Sequence, residues 1–274
     1  MNIYRGCLHG CIYCDSRSAC YQIKHDFEDI EVKREAPRIL DEQLRRRRRP
    51  CMICTGAMCD PYIPLEDELF YTRRCLEVIE KHGFGVAILT KSARILRDLD
   101  LLKRIHERSK AVVQTTLTTS DESLCRLLEP NVSTTAERFH VLEVCRENGI
   151  PTVVWLCPIL PFINDTEENL RGILDGCVRA KVAAVMNFGF GLTLRDGNRE
   201  YFYKKLDRHF PGIKQTYIRT FGGAYECQSP NSGRLQQIFR ETCDQHKILY
   251  GPDKVFAYLN EFPDKSGQTS LFPG

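Results

Sequence analysis

The sequence predicts an α/β protein built on a parallel sheet, and three observations carry that expectation. Short runs rich in β-branched residues alternate with amphipathic stretches along most of the chain. The extended runs are nearly continuously apolar, as strands buried on both faces must be. Successive runs are separated by enough chain for a crossover helix, which in a parallel sheet is right-handed.

In chain order, a short first strand is expected at 3–5, ahead of a cysteine-rich loop. Residues 36–49 read as a helix with Ile39, Leu40 and Leu44 on one face, and 51–55 as a strand. A helix over 65–82 carries Leu69, Leu76 and Ile79, and Gly83 stands where a C-terminal cap belongs. A strand at 86–90 follows, then an interrupted helical stretch to residue 108 that Ser92 can cap, then a strand at 112–117. The helix expected at 135–148 ends at Gly149 and Pro151, leading into a strand at 152–157. A helix at 166–180 and a strand at 183–188 complete six strands alternating with helices. Six units are too few for a closed eight-unit barrel, so a doubly wound sheet and an open partial barrel both fit. Beyond Leu192 the alternation fades, with helices expected at 198–209 and 232–247. The expected organisation is a core over 1–192, a helical extension over 193–263 packed on it, and a mobile polar tail over 264–274.

Composition narrows the classes. The 274 residues include 39 Lys+Arg against 36 Asp+Glu and are 42% hydrophobic, enough for a sizeable core and free of disordered or collagenous bias. The longest apolar run, 153–163, is broken by Pro158 and Pro161 and falls short of the roughly 18 residues of a membrane helix. No apolar segment follows Met1, so a reducing, cytoplasmic location is expected. Fourteen cysteines there do not read as a disulfide framework; they point to metal or redox chemistry.

Cys7, Cys11 and Cys14 lie in NIYRGCLHGCIYC, a C-x3-C-x2-C spacing on one loop. Structural zinc sites want four ligands, commonly as two close pairs, and three thiolates leave such a site incomplete. A [4Fe-4S] cluster held by three cysteines keeps one iron open for an exogenous ligand. The competing reading is a zinc loop with Cys20 as fourth ligand.

This motif, with Tyr13 just before the last cysteine, resembles the signature of the radical SAM superfamily. The closer likeness is to the branch that contains spore photoproduct lyase and its uncharacterised relatives. It is carried by TGAMCDPYIPLEDEL from Thr55, ILTKSARILRDLDLL from Ile88, and the shorter LEPNVS, ERF and CPILPFIND. The resemblance implies a partial (β/α)6 TIM-like barrel, with the cluster in the loop after the first strand and S-adenosylmethionine (SAM) across the C-terminal strand ends. It further implies reductive cleavage of SAM to a 5'-deoxyadenosyl radical, and a flavodoxin- or ferredoxin-type electron donor.

The resemblance also assigns residues. Cys7, Cys11 and Cys14 would hold the cluster, and Tyr13 would border the adenine, the plainer role being to pack under the loop. Gly56 would face the methionine moiety, and Asp60 would pair with its ammonium; a Gly before Asp-Pro is also an ordinary turn. Lys91 matches a lysine that reaches SAM, and Thr116 a hydroxyl near it. Glu129 and Arg138 fit the branch either as a structural pair or as cavity groups. The lyase has a hydrogen-donating cysteine at the end of the second strand, where this chain has Ala57; Cys59, two residues on, is the candidate substitute.

Other signals carry less. Cys51 and Cys54 form a C-x2-C, but positions i and i+3 of a strand point to opposite faces. Cys157 and Cys227 are candidates to approach the cavity. Five consecutive arginines from Arg45 to Arg49 are a solvated surface element or a patch for phosphate backbones. The tail from Gln268 to Phe272 resembles the Gln-x-x-Leu-Phe peptide by which bacterial DNA enzymes dock into the DNA sliding clamp. The expected function is radical SAM chemistry on an unidentified, nucleic-acid-related substrate, the alternative being a nucleic-acid-binding module with a structural metal loop.

Overall fold

A computed structural model describes residues 1–263; the expected tail and the segment from Gln268 to Phe272 lie outside them. β1 (Tyr4–Arg5) pairs antiparallel with β2 (Glu31–Val32) in a small ribbon beside the cysteine loop. Then follow α1 (Ala36–Arg46), β3 (Met52–Thr55), α2 (Glu66–Leu69), α3 (Tyr71–His82) and β4 (Gly85–Thr90). A 3-10 stretch over Ala93–Asp98, its first turn capped by Ser92, leads into α4 (Leu99–Arg108) and β5 (Ala111–Thr116). The next elements are α5 (Glu122–Leu128), α6 (Thr135–Glu147), β6 (Thr152–Trp155), α7 (Glu167–Arg179) and β7 (Ala184–Met186). The remainder is β8 (Gly191–Thr193), α8 (Asn198–His209), α9 (Ile213–Phe221), β9 (Glu226–Gln228), α10 (Ser232–His246), β10 (Leu249–Tyr250) and α11 (Pro252–Asn260).

One six-stranded sheet runs in the order β10-β7-β6-β5-β4-β3, and every pairing in it is parallel. β3 and β10 are left as unjoined edges, so the barrel is partial, as expected. Two corrections concern which segments build it. The strand at 3–5 is outside the sheet, because its partner is β2 and Gly6 ends it after two residues. The sixth strand is instead β10, delivered by α10, which packs on α7. The insertion of β8, α8, α9 and β9 after β7 separates this last unit from the others and hid its period. For the same reason the expected core boundary at 192 falls inside β8, and the 193–263 region is more than a helical extension.

Alternation along the strands sorts side chains to two faces. Val86, Ile88 and Val113 face outward and pack with Leu76, Ile79, Leu102 and Ile105 of the covering helices. Val154 and Val185 do the same with Ile173, Leu174 and Phe239. The inner face carries Met52, Ala87, Val112, Val153, Ala184 and Met186, and it is covered by Val255 and Leu259 of α11. Small residues such as Ala87 and Ala184 leave room for that helix where larger side chains would otherwise fill the barrel. Lys110 clamps its end, with Nζ donating to the carbonyls of Tyr258 (2.6 Å) and Glu261 (3.3 Å).

Local signals explain several helix limits. Thr134 and Glu137 form the capping box that starts α6, Thr166 caps α7, and Gly83, at φ 70°, ends α3. The single helix expected over 65–82 is broken at Phe70, which adopts φ 53° between α2 and α3. No helix is long and apolar enough to cross a membrane among the described residues.

Candidate functional site

The C-terminal ends of the strands and the cysteine loop enclose a cavity of about 670 Å³. The loop is pinned from two sides. Cys7 N donates to Phe27 O (2.9 Å), Ile12 N to Leu128 O (2.9 Å) and Asn131 Nδ2 to Leu8 O (2.9 Å), while Asn131 N reaches His9 O (3.2 Å). Cys7, Cys11, Cys14 and Tyr13 all line the cavity, as do Gly56, Cys59, Asp60, Lys91 and Thr116.

Tyr13 donates its hydroxyl to Glu129 Oε1, and Arg138 Nη2 donates to Glu129 Oε2 at 2.6 Å. Arg138 Nη1 ties this pair to the Thr116 carbonyl at 2.7 Å. Neither Glu129 nor Arg138 lines the cavity, so the two are a structural pair. The segments LEPNVS and ERF thus supply the support behind the cysteine loop.

Asp60 has a fuller set of protein partners than a free ligand group would. Its carboxylate accepts from Tyr62 N (2.8 Å), Thr90 Oγ1 (2.7 Å) and Lys91 N (2.7 Å), and His9 Nδ1 stands 3.5 Å away. A carboxylate has about four acceptor positions, and these are mostly taken, so Asp60 staples the loop after β3 to the end of β4. Gly56, at φ +100°, is explained by its neighbour strand: a Cβ there would lie 1.9 Å from Leu89 O.

Electrostatics divide the thiols. Contact with the Cys59 thiol, and then the His9 ring, hold Cys7 well below its ordinary value against the opposing effect of burial. Burial pushes Cys11 and Cys14 up, with Lys91 opposing. The Cys7 contact and burial push Cys59 up. Burial works against the charge of Lys91, but Cys11, Glu129, Cys14 and Asp60 outweigh it and keep the ammonium protonated.

This donor set fits a three-cysteine iron-sulfur cluster. Among the described residues no three or more His, Cys, Asp or Glu groups converge so as to hold one metal ion. A cluster takes one thiolate per iron, so its ligands need not converge on one point, and Cys7, Cys11 and Cys14 line the same cavity. His9 Nε2, buried and unpartnered among the described residues, is a polar atom left for whatever fills the cavity. Cys20, which a zinc loop would need, is exposed and receives Arg195 Nη1 at 3.3 Å. Cys54 is exposed on β3, and Cys51 accepts from Arg47 Nη1 at 3.7 Å.

Sequence reasoning passed over His9, although it stands inside the cysteine motif. It also missed Trp155 and Phe188 at the ends of β6 and β7 and Glu226 and Gln228 on β9, all of which line the cavity. Trp155, the single tryptophan at a strand end, was the available signal. Cys157 and Cys227, left open above, are cavity residues too.

The comparisons with known proteins agree with this geometry. An uncharacterized protein of Mycobacterium tuberculosis is 29% identical over 223 residues, spanning 79% of this chain and 65% of that protein. An uncharacterized protein of Methanocaldococcus jannaschii is 30% identical over 169 residues, 61% of this chain and 62% of its own length. The chain therefore spans less than two thirds of the length of these relatives. The fold is similar to that of spore photoproduct lyase complexed with dinucleoside spore photoproduct, with a TM-score of 0.62 at 14% identity over 89% of this chain and 72% of that one. The family described as the radical SAM superfamily matches residues 1–173. With its cysteine loop, its partial parallel barrel and that match, the chain belongs to the radical SAM superfamily.

Proposed function

We propose that the protein is a radical SAM enzyme in which Cys7, Cys11 and Cys14 hold a [4Fe-4S] cluster and the adjoining cavity takes SAM. The observation that carries this reading is the gathering of all three motif cysteines on one cavity at the C-terminal ends of a parallel sheet. When bound, cluster and SAM together supply reductive cleavage of the sulfonium and a 5'-deoxyadenosyl radical that abstracts hydrogen from substrate. The chain's own residues act by placement. Lys91 offers an ammonium to the cofactor's carboxylate, Thr116 a hydroxyl, and Gly56 a wall without a side chain. Tyr13, fixed by Glu129, borders the adenine, and Asp60 acts as a positioning residue through His9 and the backbone of Lys91. Cys59 lines the same cavity, where a thiol can give its hydrogen atom to a carbon radical and itself become a thiyl radical. A flavodoxin- or ferredoxin-type protein would supply the electron. The finer reading is a nucleic-acid-related substrate of repair type, supported by the aromatic wall that Trp155 and Phe188 give the cavity.

The test is anaerobic reconstitution of wild type and Cys11→Ala, followed by reduction with SAM. Wild type is expected to bind iron and sulfide and release 5'-deoxyadenosine, and Cys11→Ala to lose both. A Cys11→Ala protein that still cleaves SAM overturns the assignment. A single zinc without sulfide in wild type would favour the nucleic-acid-binding module instead.

A further inference from the structure

We infer that Trp155 and Phe188 form a stacking wall for a planar conjugated ring of the substrate, a nitrogen heterocycle of the nucleobase class. This deepens the proposed function and rests on it for the place of the cofactor. Phe188 is 56% exposed, the most exposed large apolar side chain of the described residues. Its ring is nevertheless held, 5.8 Å from Trp155 and 6.2 Å from Phe256, with those two 6.3 Å apart. Trp155 is oriented in turn, because Nε1 donates to Oε1 of the buried Gln114 at 2.8 Å. An exposed ring fixed by two others presents a flat face at little entropic cost.

Position gives the wall a purpose. Trp155 is in register with Thr116 on one side and Met186 on the other, so the wall stands one strand from Thr116 and in the same cavity as the three cysteines. A ring resting there is held within the chamber where a radical would form. The polar groups facing the same cavity from β9 are the exposed carboxylate of Glu226 and the carboxamide of Gln228. Together they match the N–H and C=O groups on the edge of a heterocycle. A saturated ring with the same edge would satisfy those groups and leave the aromatic faces unused.

The experiment separates these contributions. Reconstituted protein, kept unreduced so that SAM stays intact, is titrated by calorimetry with uridine and with 5,6-dihydrouridine, which has the same polar groups on a puckered, unconjugated ring. Uridine is expected to bind at least about tenfold more tightly. Phe188→Ala, an exposed position, is expected to weaken uridine by about 5- to 100-fold, the range for loss of one base-stacking partner, and to leave SAM affinity within about twofold. Trp155 is the single tryptophan, so its emission reports uridine from the wall itself. Equal binding of the two rings, unchanged uridine affinity in Phe188→Ala, or competition between uridine and SAM overturns the inference; competition would make the wall the cofactor's adenine site. If wild type binds no SAM, the proposed function fails, and the same uridine titrations still decide the wall.

Discussion

The carboxylate of Glu129 shows how one buried residue organises the site. It receives Tyr13 and Arg138, and its side chain is 0% exposed beside a 1% exposed Arg138. Burial alone would raise its pKa, but Arg138 and Lys91, with the Tyr13 hydrogen bond, hold it below its ordinary 4.5. A depressed carboxylate contributes stability that is fully present above its unfolded value and is lost as pH falls through the folded one. Metal-free wild type is therefore expected to lose stability below about pH 4.5, and Glu129→Gln to show a flatter acid limb. At pH 7 that substitution leaves Arg138 without its counter-charge and should cost about 3–5 kcal/mol in urea unfolding. A loss under 1 kcal/mol would show that the pair is dispensable.

At the level of elements, the turn after β3 is set by contact between backbones. Gly56 lies against Leu89 of the neighbouring strand, and any Cβ there meets the carbonyl oxygen at 1.9 Å. Gly56→Ala is expected to cost more than about 2 kcal/mol in thermal unfolding, because both the contact and the positive φ oppose it. An unchanged melting temperature would mean the two strands separate more easily than their packing implies. This also assigns the glycine: β4 requires it whether or not a ligand approaches. The arginine run has its own element-scale reading, since it is exposed at the end of α1, where the chain enters β3. The cavity lies at the other end of that strand.

For the whole molecule, the covering of the inner sheet face by the C-terminal helix matters most. Val255 and Leu259 close over strand residues that would otherwise face solvent, and the same helix sends Phe256 to back the aromatic wall. Leu259→Ala is expected to cost about 2–5 kcal/mol by urea unfolding, with cavity formation adding to lost burial. Because α11 bridges core and site, Leu259→Ala should also loosen the surroundings of Trp155, seen as a red shift of its emission. Stability loss without any spectral change would separate the helix from the site.

Much of this protein was legible locally. The cysteine spacing, the apolar runs and the capping signals at Gly83, Thr134 and Thr166 depend on neighbours within a few residues, so the strands from β3 to β7 and the three-cysteine loop followed from the sequence. Lys91 and Thr116, which the resemblance sets near SAM, both line the cavity. What the sequence could not supply was anything depending on distant pairing. Whether residues 3–5 or β10 entered the sheet turned on two-residue strands whose partners lie far along the chain. Asp60 is expected to pair with the cofactor's ammonium; Tyr62 N is a neighbour within its own motif, but Thr90 and His9 reach the carboxylate only after folding. The aromatic wall joins three elements no local pattern connects. The sequence by itself determined the three-cysteine loop and the strand-helix order from β3 to β7, since both are short-range properties. Only the tertiary structure decided the membership of the sheet, the distant hydrogen-bond partners of Asp60 and Glu129 and the second wall of the cavity, because each turns on contacts between elements far apart along the chain.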